Sequence, residues 1–279
     1  RVKLDYMGNI WVLDVGNNRL LKFNSMGKFI CSFGRAGQAR GQFLGPGAFD
    51  IGMDGNIYIV EGWNKRVQAF DSTFRFLRSF KIDEFSKDIC VDSKGNVYLS
   101  NPHKEKFLTI YTKEGKELET LNESVNVDDQ KKKRLFNWEA TFAIDPKHDD
   151  ILVSFRFDPD VQLMKFNDRH ELIATSALIV PESELAKDSV IGTGNSSKNA
   201  NNLIVEKICW GKDNHWYILF KKRSTIYKLS TSGEILATII PKTEEGKDMI
   251  CSSLDVDAYG NIYAADMSSM QIHRISVNN

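Results

Sequence analysis

At 279 residues, with 42% hydrophobic and 27% charged side chains, the chain has the composition of a folded protein and not of a disordered one. Lysine plus arginine equals aspartate plus glutamate, 37 of each, so no global field draws the molecule to nucleic acid or to an anionic membrane, and only a local patch could do so. No run approaches the roughly eighteen apolar residues needed to cross a bilayer, and Cys31, Cys90, Cys209 and Cys251 lack CxxC spacing, which points to buried free thiols and not to a disulfide frame or a zinc site.

The chain opens at Arg1 directly in strand-like material, Val2-Lys3-Leu4-Asp5, with no apolar leader. The expectation is that the natural chain continues upstream and that the protein is a secreted, periplasmic or lipid-anchored bacterial one. A first turn follows at Met7-Gly8-Asn9-Ile10-Trp11, then a run to Asp14, a polar loop with Arg19, a second turn at Ser25-Met26-Gly27-Lys28, and a final run from Phe29 to Phe33. The same order recurs along the chain. Asp54-Gly55-Asn56-Ile57-Tyr58 opens a second unit that ends at Phe80, and Lys94-Gly95-Asn96-Val97-Tyr98 a third that ends at Leu121. His148-Asp149-Asp150-Ile151-Leu152 and Asp213-Asn214-His215-Trp216-Tyr217 mark a fourth and a fifth, with Asp and Asn where the others have Gly. That exchange is informative, because Asn and Asp are the residues other than glycine that best tolerate a positive φ. Tyr259-Gly260-Asn261-Ile262-Tyr263 marks the sixth. Between the turns, the runs alternate or nearly alternate, as half-buried antiparallel strands do, and none has helical period.

Six units of short strands spaced this way predict an all-β fold, a single six-bladed β-propeller of four-stranded antiparallel blades, at approximately 1–34, 48–80, 87–121, 140–176, 206–240 and 252–279. A sandwich gives no reason for a repeated four-strand module, and a solenoid requires terminal caps that are not evident. The sixth unit supplies only three strands before Asn279, so a strand from upstream of Arg1 is expected to complete the last blade and cover its edge.

Ser32-Phe33-Gly34-Arg35-Ala36-Gly37, Gly41-Gln42-Phe43 and Pro46-Gly47 resemble the linker of NHL repeats, and Val12-Leu13-Asp14 with Asn17-Asn18-Arg19, and Ile59-Val60-Glu61 with Asn64-Lys65-Arg66, resemble the blades it joins. The likeness covers residues 4 to 121 and 254 to 275. It implies a six-bladed ring in which the acidic residue and the arginine five positions later brace the blade.

In such a ring the long segments 34–48, 122–140 and 176–206 are blade-to-blade connections and emerge on one face, which places the candidate site there, around the channel mouth. Blades six, one and two carry Asp266, Asp14 and Glu61 at the ends of their second strands; blades three to five offer Lys104, Lys106, Arg156, Lys221, Lys222 and Arg223, and Lys131-Lys132-Lys133-Arg134 precede blade four. One reading is a basic arc for an anionic ligand, with Trp63, Phe155 and Phe220 as stacking surfaces; the other is a braced, solvated rim. The candidate ligand-binding residues are Trp63, Glu61, His103, Arg156, Lys221, Lys222 and Arg223.

Related propellers include lyases with a zinc on three histidines and lactonases with a channel calcium. Here His103, His148, His170, His215 and His273 do not converge. Asp50, Asp88, Glu139 and Asp255 lie near first-strand starts and are the channel residues a calcium could use, Asp50 and Glu139 foremost; Asp5, Asp92, Asp145 and Asp257 read as turn formers. No Gly-x-Ser-x-Gly elbow or phosphate loop is present, and Gly192 to Ser197 reads as a loop. No cofactor is therefore expected. The expectation is a monomeric, non-catalytic propeller that binds a protein, a peptide or a small anionic ligand; a metal-dependent lyase or lactonase working in the channel is the alternative, and RNA binding through the basic arc a further one.

Overall fold

The computed structural model describes residues 1–83, 85–101, 106–121, 140–156, 161–179, 204–221 and 224–277. The strands are built by a recurring turn. Asp5 accepts hydrogen bonds at Oδ1 from the backbone N–H groups of Met7 and Asn9 (2.9 and 2.8 Å), Gly8 N–H donates to the Asp5 carbonyl (3.1 Å), and Gly8 lies at φ 76°. Asp92 and Asp257 make the same turns with Gly95 and Gly260 at φ 85° and 81°. At the degenerate copies Asn214 and Asp149 take φ 63° and 58°, the left-handed geometry their place in the repeat predicts.

A pair of turns organises the antiparallel sheet of each of the first five blades, and a single one that of the sixth. Blade one holds β1 (Val2–Leu4), β2 (Ile10–Asp14), β3 (Arg19–Phe23) and β4 (Phe29–Phe33). Blade two holds β5 (Pro46–Ile51), β6 (Ile57–Glu61), β7 (Arg66–Phe70) and β8 (Phe76–Lys81), and blade three β9 (Ile89–Val91), β10 (Val97–Ser100), β11 (Leu108–Tyr111) and β12 (Glu117–Leu121). Blade four runs through β13 (Ala140–Asp145), β14 (Asp150–Phe155), β15 (Gln162–Phe166) and β16 (Leu172–Ala177), and blade five through β17 (Val205–Trp210), β18 (Trp216–Phe220), β19 (Ile226–Leu229) and β20 (Ile235–Ile239). The sixth sheet has three strands among the described residues, β21 (Cys251–Val256), β22 (Ile262–Asp266) and β23 (Gln271–Ile275). In every blade the first strand is innermost and the order is sequential.

The core is partitioned between the blades. Trp11, Leu20, Phe43, Phe49 and Phe70 fill the seam of blades one and two, and five equivalent clusters fill the others. Ring closure is visible in the cluster that joins Val2, Leu4 and Ile10 of blade one to Tyr263 of blade six. The middle strands β6 and β18 are buried along their whole length, because both of their faces meet a neighbouring blade, whereas β16 is exposed throughout at the rim. This architecture puts the β1–β2 and β3–β4 class of turns on one face, here the turn face, and the β2–β3 class of loops and blade-to-blade connections on the other, the loop face. No helix among the described residues is long and apolar enough to cross a membrane.

Candidate functional site

An innermost strand has a free edge along the channel, so its backbone N–H groups need partners from elsewhere. The repeat supplies them. Lys3, Asp50, Cys90, Ala143, Cys209 and Asp255 occupy one equivalent position in the six inner strands, opposite Trp11, Tyr58, Tyr98, Leu152, Tyr217 and Tyr263. Two residues earlier, toward the loop face, stand Arg1, Ala48, Asp88, Thr141, Lys207 and Ser253. Side chains from these two rings reach the next blade: Asp50 accepts from Val91 N–H (2.9 Å), Asp255 from Leu4 N–H (2.7 Å), Thr141 from Ile208 N–H (3.3 Å) and Ser253 from Val2 N–H (3.1 Å).

The charges of the two rings are matched. Arg1, Lys3 and Lys207 supply three positive side chains, and Asp50, Asp88 and Asp255 supply three negative ones. Lys3 Nζ lies 2.8 Å from Asp50 Oδ1, and Lys207 bonds Asp88 Oδ1, whose other oxygen accepts from Thr141 (3.2 Å). Burial pulls the Lys3 ammonium down, but Asp50 and Asp255 outweigh it and hold its pKa well above the ordinary lysine value. Asp50 and Asp255 thus lie toward the turn-face ends of β5 and β21, a layer deeper than a position at the strand starts, because strand pairing at Pro46 and Cys251 begins earlier than the apolar runs suggest. Lys3 and Lys207 are the residues that reading the sequence missed. The signal was available, since both fall on the same repeat positions as the aspartates.

Among the described residues, no three or more His, Cys, Asp or Glu side chains form a group able to hold a metal ion. The four described histidines each have a partner: His148 with Asp145 (2.6 Å), His170 between Glu119 (2.7 Å) and Tyr98 (2.9 Å), His215 with Asp213 (3.2 Å), and His273 with Ser269 (3.1 Å).

Among the described residues, a cavity of 30 Å³ lies at the loop-face end of the channel, where Arg156 Nη2 bonds Glu206 (2.6 Å) and Arg1 Nη2 bonds the Lys87 carbonyl (3.2 Å). Glu61 is fully buried and accepts from Leu44 N–H (3.0 Å), Asn64 (2.6 Å), Arg66 Nε (2.7 Å) and Gln68 (2.7 Å). It therefore presents no free oxygen to a ligand. Arg66 in turn donates to the carbonyls of Gln38, Ala39 and Gln42 and clamps the connection 34–45 onto blade two. Asp14 with Arg19 (2.9 Å) and Asp266 with Ser268 and Ser269 brace their blades in the same place. Phe155 and Phe220, expected as stacking surfaces, are 2% and 1% exposed: they sit at the ends of second strands, where they pack on Phe107 and Tyr227.

Trp63 is different. It is 80% exposed, yet its ring edge rests on Gly45, where a Cβ would fall 1.8 Å from Trp63 Cδ1. Beside it opens a groove of 520 Å³ lined by Gln38, Asn64, Arg66, Ser79, Phe80 and Lys81. Lys221 and Lys106 are exposed on this face. His103, Lys104, Lys222, Arg223, Glu139, the run Lys131 to Arg134 and the loop Gly192 to Ser197 lie outside the described residues.

A ring of six radial sheets with a self-neutralised channel defines a six-bladed β-propeller. A family model described as a 6-bladed beta-propeller, DUF5128, matches residues 1–227, and the chain belongs to that family. No curated protein matches the chain in sequence. Among solved structures it is similar to a catalytically inactive virginiamycin B lyase from Staphylococcus aureus with quinupristin, at 12% identity and a TM-score of 0.62 over 100% of this chain and 80% of that one. It is also similar to the Cps50 (Swd1) β-propeller domain of Myceliophteria thermophila (10% identity, TM-score 0.61, 99% and 96% covered) and to a Bacteroides caccae protein of unknown function (10%, 0.58, 92% and 82%). At these identities the likeness concerns the fold, and such different proteins share it.

Proposed function

We propose that this protein is a non-catalytic, NHL-like propeller that binds a peptide or protein segment on its loop face, with Trp63 as the anchor. The observation that carries this reading is the exposed indole held against Gly45 beside an open groove. A large aromatic side chain with few rotatable bonds loses little entropy on binding, and tryptophan is enriched among the residues that dominate recognition sites. Lys81 in the groove wall, with Lys106 and Lys221 exposed on other blades of the same face, favours acidic partners, while the neutral overall charge gives no support to a nucleic-acid partner. The channel favours a structural role, since its carboxylates are spent on lysines and on the backbone N–H groups of neighbouring blades.

Selection of peptides from a random displayed library tests this. The expected winners carry acidic and aromatic residues and bind Trp63→Ala at least about tenfold more weakly, the loss of one anchor. Gly45→Val, which pushes the ring aside and also strains the backbone at φ 59°, produces the same loss in protein whose circular dichroism matches the wild type. Selected peptides that bind both variants as well as the wild type contradict the proposal.

A further inference from the structure

On the turn face the channel opens into a cavity of 400 Å³ that touches all six inner strands and contains no part of the loop-face groove. Its floor is the inner ring of Lys3, Asp50, Cys90, Ala143 and Asp255; its wall carries Tyr6, Met53, Trp210, Lys147 and Lys212. The volume falls in the range of sites for small organic molecules.

The polar atoms are unequally engaged. All four carboxylate oxygens are engaged: Asp50 by Lys3 (2.8 Å) and Val91 N–H (2.9 Å), Asp255 by Leu4 N–H (2.7 Å), Val256 N–H (2.9 Å) and the Cys209 thiol (3.3 Å). The donors are not. An ammonium carries three N–H bonds; Lys3 has one carboxylate partner, Lys212 uses two bonds on the carbonyls of Leu4 and Asp5 (2.7 and 2.8 Å), and Lys147 is exposed and has no ion pair among the described residues. The charges of the lining sum to three lysines against two aspartates, one positive charge in excess. Lys212 is moreover held below the ordinary lysine value, first by burial and also by repulsion from Lys3, with Asp255 and Asp5 opposing. A bound anion offsets both effects by its attraction for the ammonium. The apolar remainder of the wall, with Trp210 packed edge-on to Trp216 at 4.5 Å, suits an apolar or aromatic body.

We propose that the turn-face mouth of the channel is a second binding site, for a small organic carboxylate with an apolar or aromatic body, whose acid group meets Lys212, Lys3 and Lys147. The site lies on the opposite face from Trp63 and does not depend on the peptide reading.

Isothermal titration with 4-phenylbutyrate, and with its neutral counterpart 4-phenylbutan-1-ol, tests the site. The wild type binds the carboxylate, and the alcohol binds at least about tenfold more weakly. Lys212→Met weakens the carboxylate about tenfold and Trp63→Ala leaves it unchanged. Because Lys212 also ties down two carbonyls, Lys147→Glu at an exposed position provides the second variant, with a loss of about threefold or more at an unaltered melting temperature. No detectable heat from the wild type at roughly millimolar ligand, equal affinity for acid and alcohol, or carboxylate binding that survives Lys147→Glu and falls with Trp63→Ala overturns the proposal.

Discussion

Replacing Lys207 by methionine removes the cation from the most enclosed ion pair of the channel and nearly preserves the volume of the side chain. The side chains of Lys207 and Asp88 are 5% and 8% exposed, so neither can turn to water when the other is lost. In Lys207→Met, Asp88 keeps Thr141 at 3.2 Å and Ile89 N–H at 3.2 Å, two neutral donors facing a buried negative charge. Stranding one member of a buried pair costs about 3–5 kcal/mol. For a chain of this length, at about 2 °C per kcal/mol, the melting temperature falls by roughly 6–10 °C. The double variant Asp88→Asn/Lys207→Met leaves no charge behind and recovers most of that loss. Thermal unfolding followed by circular dichroism on the wild type, both single variants and the double variant gives the coupling directly. A Lys207→Met protein within about 1 kcal/mol of the wild type, or a double variant no better than the sum of the singles, refutes the view that the pair is closed to solvent.

Acid stability depends on Asp266. Burial raises its pKa, but hydrogen bonds from Ser269, Ser268 and the N–H groups of Ser268 and Ile250 outweigh this and hold it well below the usual carboxylate range. A depressed folded-state value means stability that is complete above the unfolded-state pKa near 4 and is lost as the pH falls toward the folded-state value. Asp266→Asn therefore lowers stability at neutral pH and flattens its acid limb; urea titrations from about pH 7 to 3 that show the same slope in both proteins contradict this. The thiols give a simple count. Burial pushes Cys90 up to about 12 and Cys251 up to about 11, and holds Cys209 well above the ordinary thiol value, whereas Cys31 is half-buried at the rim. A neutral thiol reagent such as iodoacetamide is expected to modify Cys31 first in the native protein and all four in denaturant; rapid native modification of Cys209, which is buried, refutes the packing of the inner ring.

The ring of six was legible because its punctuation is local. A positive φ favours Gly, Asn and Asp, so even degenerate turns such as Asp149 and Asn214 kept their place in the repeat, although Phe74 and His170 take φ 65° and 63° at the second turn of their blades. The bracing of Glu61 by Arg66 was an expectation carried over from the resemblance to NHL repeats, and the pair does meet, five residues apart on one hairpin. The channel was not legible, because its partners are remote in sequence: Lys3 meets Asp50, and Lys207 meets Asp88 across 119 positions. Polarity alone marked Asp50, Asp88 and Asp255 as oxygen donors, and only the geometry shows that lysines and edge-strand N–H groups already use them. Phe155 and Phe220 misled in the opposite direction, since an aromatic residue at a strand end is equally suited to a rim surface and to the seam between blades.

Elemental analysis of the purified protein tests most directly whether the channel is held together by its own lysines. The account predicts calcium and zinc at far below one equivalent per chain, with Lys3→Met and Lys207→Met destabilising whether or not chelator is present. One firmly bound metal ion per chain, released by Asp50→Ala, contradicts it.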